Sequence, residues 1–259
     1  MKCQAQFYRG TKEQFWWHIF NYLGGEKMRI GGYEKLSAVD YPGELACAIF
    51  LVGCNFNCGY CHNPSLISGN GNHIEKEEVM EYLKLRRDML DAVCISGGEP
   101  TCNKDLKDFI REIKALGYKV KLDTNGTNPW VVKELIDEKL IDYVAMDLKA
   151  SPAKYNEVTR CNVNLELIKQ TIKILKTSGI KHEFRTTYLP TLDINDINEI
   201  TEKFVGKNSK YYLQQFRNTI TNDPQYHNFM PHKDAYVLST ANFVKENIGD
   251  CRVRGISSF

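Results

Sequence analysis

Apolar residues follow two patterns along this chain, and together they predict alternating strands and helices. Short continuous runs of apolar and β-branched residues are typical of strands buried on both faces. Residues 47–53, 92–96, 118–122, 143–146, 182–188 and 211–216 form six such runs. Between some of them, apolar residues recur every three or four positions, over 105–117, 164–179 and 193–206. That spacing predicts amphipathic helices.

Strands that alternate with helices indicate an α/β fold with a parallel sheet. The patterns leave an open sheet and a barrel equally possible. In both, function is found at the carboxyl ends of the strands. Polar motifs follow four of the predicted strands: GCNFNCGYC, GGEPT, DTNG and DLK. We therefore expect these four segments to meet at one site.

Composition narrows the class of protein. The 259 residues are 42% hydrophobic and 25% charged, as in an ordinary globular protein. The formal net charge of +2, from 34 basic and 32 acidic residues, gives no argument for a nucleic-acid or membrane partner. The apolar stretch 15–23 is too short to span a bilayer and is interrupted by His18 and Asn21. We predict a cytoplasmic protein, with 1–27 as an extension of unknown role and 28–259 as one domain.

The cysteines point to a metal centre. There are nine, an odd number with uneven spacing, which argues against a disulfide framework. Cys54, Cys58 and Cys61 lie within eight residues as C-x3-C-x2-C. Three thiolates suit an iron–sulfur cluster with one iron left open. A zinc site with His62 as fourth ligand, or three free thiols, remain alternatives on spacing alone.

The motif C-x3-C-x-aromatic-C resembles the signature of the radical S-adenosylmethionine (SAM) superfamily. The resemblance implies that the three thiolates hold a [4Fe–4S] cluster and that the amino and carboxylate groups of SAM chelate the open iron. One electron from the reduced cluster would split SAM into methionine and a 5′-deoxyadenosyl radical. Tyr60, the aromatic residue before Cys61, would lie near the adenine.

The motifs that follow the next strands fit a narrower group. Taken singly, each is an ordinary turn or a surface ion pair. Taken in this order, they resemble the glycyl-radical-enzyme activating enzymes. The resemblance implies that the following residues contact SAM: Gly97, Gly98 and Glu99 at its ammonium group, and Asp123, Asn125, Asp147, Lys149 and Arg185. Some family members also bind a monovalent cation here. Ala145 stands where a methionine occurs in the pyruvate formate-lyase activase.

Two segments favour one subgroup. CHNP at 61–64 and GYEKLSAVDYPG at 32–43 resemble the activating protein of anaerobic ribonucleoside-triphosphate reductase. This implies a partial (β/α)6 TIM-like barrel of the radical SAM type, with its core at about 44–216. It also implies an anaerobic (class III) ribonucleotide reductase as partner and flavodoxin or ferredoxin as electron donor. The radical would remove a Cα hydrogen from one glycine of the partner.

Three alternatives remain. The partner could be pyruvate formate-lyase or another glycyl radical enzyme. The chain could be a radical SAM enzyme with a small-molecule or RNA substrate. It could also be a zinc or iron–sulfur structural module without turnover, although such a module would not need the ordered strand-end motifs. Residues from Thr219 onward give no functional indication.

Overall fold

The structure, a computed structural model, describes residues 28–69 and 71–256. The predicted extension at 1–27 lies outside these residues. In this part of the chain, eight strands form one sheet whose order follows the sequence: β1 (Ile30–Ser37), β2 (Ala46–Leu51), β3 (Ala92–Gly97), β4 (Lys119–Thr124), β5 (Tyr143–Asp147), β6 (Lys181–Tyr188), β7 (Ser209–Gln215) and β8 (Gly249–Arg254). Strand β1 is antiparallel to β2, and β2 to β8 are parallel.

Eight α-helices accompany the sheet within the described residues: α1 (Pro64–Ser68), α2 (Lys76–Leu85), α3 (Leu106–Ala115), α4 (Pro129–Asp137), α5 (Tyr155–Thr159), α6 (Leu165–Thr177), α7 (Ile194–Ile200) and α8 (Asp234–Ile248). Helix α7 continues into a π-helical turn at Thr201–Val205. Its first turn carries a capping box, in which Asp193 accepts from the backbone of Asn195 and Asp196. None of the helices in the described part of the chain is both long and apolar enough to cross a bilayer.

The predicted α/β fold is confirmed, and the six predicted strands coincide with β2 to β7. The sheet begins at β1 and ends at β8 without a pairing between them in the described residues, so it forms a partial barrel. Two strands at its edges, β1 and β8, were not predicted. Helix α8, beyond Thr219, was not predicted either.

The two faces of the sheet have opposite character. Residues that point to the helices, such as Ile95, Leu122 and Phe184, are fully buried and belong to the main apolar core. The interior face has a small apolar cluster made of Tyr41, Ala46, Ala92 and Tyr143. The alternation of side chains along a strand places charged residues on this same interior face.

Most described cysteines carry free thiols: Cys47, Cys54, Cys58, Cys61, Cys94, Cys102 and Cys251. Cys47 and Cys94 lie in β2 and β3 with no exposed surface, as expected for small residues in a core.

Candidate active site

The three clustered cysteines lie in one loop that follows β2. Cys58 is buried, and Cys54 and Cys61 are partly buried. Burial raises the pKa of Cys54 to about 12 and that of Cys58 to about 11, and it also raises the pKa of Cys61. Buried thiolates therefore need positive charge beside them, which bound iron would supply. The positive charge of Lys149 offsets part of this rise in the pKa of each of the three thiols.

A single-ion zinc site has less support. Zinc needs ligands that converge on one point, and no three His, Cys, Asp or Glu side chains in residues 28–69 and 71–256 do so. The thiolates of a cubane bind different irons and need no such point. His62, the alternative fourth ligand, has its Nδ1 2.8 Å from the carbonyl oxygen of Ile220. The donor set thus fits the cluster better than zinc.

The GGE motif packs directly on the segment that leads into the cluster loop. The backbone N–H of Glu99 donates to the carbonyl of Gly53 at 2.7 Å, and that of Gly98 donates to Leu51 at 2.8 Å. A Cβ atom at Gly98 would overlap the Gly53 carbonyl oxygen. Gly97 has a φ of 120°, a conformation that favours glycine. Both glycines are thus required by the backbone as it stands.

The carboxylate of Glu99 is buried and used within the protein. Its Oε1 accepts from the backbone N–H of Thr101 at 3.2 Å, from the Thr101 hydroxyl and from the Thr124 hydroxyl at 2.7 Å. Its Oε2 accepts from the backbone N–H of Asn125 at 2.6 Å. Burial raises the pKa of Glu99 against these hydrogen bonds. Glu99 therefore fixes the DTNG loop to the GGE loop.

Asn125 continues the connection to the cluster loop. Its Nδ2 donates to Asn55 Oδ1 at 2.8 Å, and its Oδ1 accepts from the backbone and hydroxyl of Thr127 at 3.0 and 2.7 Å. Asn55 Nδ2 in turn donates to the Thr127 hydroxyl at 2.8 Å. Asn55, which directly follows Cys54, was not among the predicted site residues. The pairing depends on the fold, so the sequence carried no signal for it.

Paired charges form a row across β4, β5 and β6 on the interior face. Arg185 donates from Nε to Asp147 Oδ1 at 2.8 Å and from Nη1 to Asp123 Oδ2 at 3.2 Å. Lys149 Nζ lies 2.9 Å from Asp147 Oδ2. Lys121, which was not predicted, pairs with Asp123 Oδ1 at the other end of the row. We call these five residues the charge row.

The charge row keeps all its members ionised despite burial. Desolvation alone would raise the pKa values of Asp123 and Asp147. Arg185 and Lys121 hold the pKa of Asp123 below its ordinary range, and Arg185 and Lys149 do the same for Asp147. The same carboxylates raise the pKa values of Lys121, Lys149 and Arg185 against their own desolvation. Three cations face two anions, so the row carries a net positive charge.

A family model for the "Radical SAM superfamily" matches residues 48–204, which contain the cluster loop and the charge row. The chain belongs to the radical SAM superfamily. A Methanocaldococcus jannaschii protein named "Putative glycyl-radical enzyme activating enzyme MJ1227" is 36% identical over 237 residues, which are 89% of this chain and 98% of that protein. This radical SAM chain is therefore an enzyme of the glycyl-radical-enzyme activating family, whose cofactors are a [4Fe–4S] cluster and SAM.

Two further similarities are more distant. A "Probable GTP 3',8-cyclase" from Pyrococcus horikoshii is 33% identical over 125 residues, which are 48% of this chain and 40% of that one. Among solved structures, Streptococcus suis SuiB bound to precursor peptide SuiA matches with a TM-score of 0.61 and 18% identity. The match covers 78% of this chain but only 46% of SuiB, so it supports the partial-barrel fold alone.

Tyr60, between the proposed ligands Cys58 and Cys61, is buried in the structure, and its predicted place near the adenine stays a prediction. The residue is 5% exposed, and its ring centroid lies 6.3 Å from that of Tyr226. Burial raises its pKa well above the ordinary value. The predicted monovalent cation stays a prediction. Arg185 bridges the carboxylates of Asp147 and Asp123.

Proposed function

We propose that this enzyme generates a glycyl radical on an anaerobic ribonucleotide reductase, with Cys54, Cys58 and Cys61 as the ligands of its cluster. Flavodoxin or ferredoxin would be the electron donor. When bound, the [4Fe–4S] cluster supplies the single electron that cleaves SAM. The observation that carries the proposal is the direct connection of the cysteine loop, through Asn55 and Asn125, to the loop beside the charge row.

The charge row is the proposed binding site for the methionine part of SAM. An ammonium and a carboxylate group need partners of both signs, and Asp123, Asp147, Lys149 and Arg185 offer both within one row. Backbone groups of Gly97 and Gly98 would approach SAM closely, because neither residue has a side chain. Glu99 and Asn125 would act through the loops that they hold together.

Access for a partner segment is supported by the open side of the barrel. A cavity of about 530 Å³ lies against Lys121 and Arg185. Its lining includes Asp40, from the loop after β1, and Arg254, at the end of β8. These elements stand at opposite edges of the sheet. A glycine-bearing loop of another protein would therefore reach the charge row through the gap between the edges.

The choice of reductase over other partners rests on the resemblance of segments 32–43 and 61–64. The match to a glycyl-radical enzyme activating enzyme extends over nearly that whole protein, whereas the match to a GTP cyclase spans less than half. This difference favours a protein substrate over a small molecule.

SAM cleavage would be tested first. The full chain would be reconstituted with iron and sulfide without oxygen and given SAM and dithionite, and 5′-deoxyadenosine would be measured by chromatography. We expect release from the wild type and none from Cys58→Ala. Cys251→Ala, which removes a free thiol on β8, is the matched control and should retain release. Release that survives Cys58→Ala would contradict the ligand assignment.

Partner choice needs a separate experiment. The loaded enzyme and SAM would be mixed with anaerobic ribonucleotide reductase or with pyruvate formate-lyase, and the glycyl radical would be recorded by electron paramagnetic resonance. We expect a signal with the reductase, and none when its radical-bearing glycine is replaced by alanine. A signal with pyruvate formate-lyase alone would move the assignment to that partner. Replacing dithionite with reduced flavodoxin or ferredoxin would identify the donor.

A further inference from the structure

Residues 219–229, between β7 and α8, lie against the cluster loop. We call this segment the strap. Asn222 Nδ2 donates to Asn57 Oδ1 at 2.9 Å and to the carbonyl of Cys58 at 3.3 Å. The backbone N–H of Asp223 donates to the carbonyl of Gly59 at 2.8 Å. The strap therefore satisfies polar groups at three consecutive positions of the cluster loop, the proposed ligand Cys58 and the residue on each side of it.

The end of helix α5 holds the same loop at another point. The carbonyl of Thr159 accepts from the backbone N–H of Asn57 at 3.0 Å. Arg160, the next residue, forms an ion pair with Asp223 of the strap. This ion pair joins the two holding elements to each other, so that they form a continuous clamp around the loop.

Gly59 fits inside the clamp because it lacks a side chain. A Cβ atom there would lie 2.5 Å from Cε2 of Tyr226 and 2.8 Å from Nη2 of Arg160. Both groups belong to the clamp, one on the strap and the other at the end of α5. The close fit shows that the loop and the clamp are packed together without space for water between them at this position.

We propose that this clamp, made of the strap and the end of α5, fixes the cluster loop and limits the access of water to the cluster. Asn222 of the strap is its positioning residue. The inference rests on the proposed ligands Cys54, Cys58 and Cys61. Asn222 bonds to the side chain of Asn57 and to the backbone carbonyl of the ligand Cys58, and not to a thiol. Its role is therefore to hold the loop in the geometry that binds iron.

Two measurable properties follow from this role. Partners that orient metal ligands typically affect metal retention by about 10- to 100-fold. The reduced cluster carries one more negative charge than the oxidised cluster, and water stabilises that charge. Greater access of water therefore shifts the reduction potential to more positive values. A substitution that only lowered global stability would not shift the potential of the folded, loaded protein.

The experiment compares two asparagines of matched type. Asn222→Ala removes an amide that bonds to Asn57 and Cys58. Asn247→Ala removes a similar exposed Asn–Asn contact, from Nδ2 to Asn198 Oδ1 at 3.1 Å, between α8 and α7. Both variants and the wild type would be loaded as full chains without oxygen. Iron release to a ferrous chelator and the midpoint potential, followed by electron paramagnetic resonance, would be measured.

We expect Asn222→Ala to release iron about tenfold faster than the wild type and to have a more positive potential, with Asn247→Ala unchanged in both. Asp223→Asn, which keeps the backbone donor but weakens the pair with Arg160, should show a smaller change in the same direction. Equal iron-release rates and equal potentials for Asn222→Ala and wild type would refute the proposed role of the clamp and leave the ligand assignment standing. A loaded Cys58→Ala protein would instead overturn the ligand assignment on which the clamp rests.

Discussion

Arg185 Nε donates to Asp147 Oδ1 at 2.8 Å, between the paired positions of neighbouring strands β6 and β5. Both side chains are mostly buried, at 11% and 28% exposed. The pair joins two residues that lie 38 positions apart in sequence. It therefore joins two neighbouring strands on the interior face of the sheet, within the charge row that we propose as the SAM site.

The pH dependence of stability should reveal this pair. The pKa of Asp147 is lower in the folded protein than in the unfolded chain, because Arg185 and Lys149 favour the ionised form. The unfolded chain therefore takes up the proton first as pH falls, and stability is lost below about pH 4. We expect Asp147→Asn to cost about 2 kcal/mol at pH 7.

The check is urea denaturation of the cluster-free chain between pH 7 and pH 3. The difference between wild type and Asp147→Asn should shrink toward pH 3, because Asp147 takes up a proton in the unfolded chain while it stays ionised in the folded protein. Asp137→Asn, which removes an exposed pair with Lys133, is the control and should change little. A difference for Asp147→Asn that is constant across this range would contradict the prediction.

Lys121 should make a bound monovalent cation unnecessary. Its ammonium pairs with Asp123 and lies 3.4 Å from Cys94 Sγ, and its side chain is 3% exposed. Together with Arg185 and Lys149 it supplies the positive charge that the two carboxylates need. We expect equal rates of SAM cleavage in sodium, potassium and tetramethylammonium chloride. Lys121→Gln should be slower and should regain activity with sodium or potassium. Wild-type activity that requires a small cation would refute this account.

Gly98 should tolerate no side chain, because a Cβ there would overlap the backbone carbonyl of Gly53. A backbone atom cannot rotate away as a side chain can, so Gly98→Ala should cost about 1–3 kcal/mol. Since Gly53 directly precedes Cys54, iron content after reconstitution should also fall. Gly32→Ala is the control, because its Cβ would meet nothing within 4 Å. Both properties would be measured for each variant, and equal behaviour of the two would contradict the prediction.

Asn55 and Asn125 should be energetically coupled. Their side chains share one hydrogen bond of 2.8 Å between two functional loops. A double-mutant cycle of Asn55→Ala and Asn125→Ala, measured by denaturation, should give a coupling energy of about 1 kcal/mol. Additive effects of the two substitutions would show that the loops are held independently.

Sequence alone predicted strands that are continuously apolar, and it predicted polar interior residues only where they match a motif. Strands β2, β3 and β5 are continuous apolar runs and were identified directly. Strand β4 reads KVKLDT, in which Lys121 and Asp123 alternate with Val120 and Leu122. This alternation was the available signal for a polar interior. A lysine in a strand is usually exposed, so only the fold identifies Lys121 as a member of the charge row.

The edges and the strap were beyond prediction for different reasons. Strand β8 reads GDCRVR, which is short and mostly polar because an edge strand is only partly covered. The strap has no periodic pattern at all. Its contacts join Asn222 to Asn57 and Cys58, 165 and 164 positions away, and no local rule describes such distances.

The opposite characters of the two sheet faces have a consequence for the effect of substitutions. Folding depends on the helix-side face, where Ile95, Leu122 and Phe184 are packed. The proposed SAM site uses the interior face, to which the alternate residues of the same strands point. A substitution on the interior face opens no cavity in the main core. Exchange of an interior residue therefore costs its ion pairs, such as that of Arg185 with Asp147, and leaves the packing of the helix-side core intact.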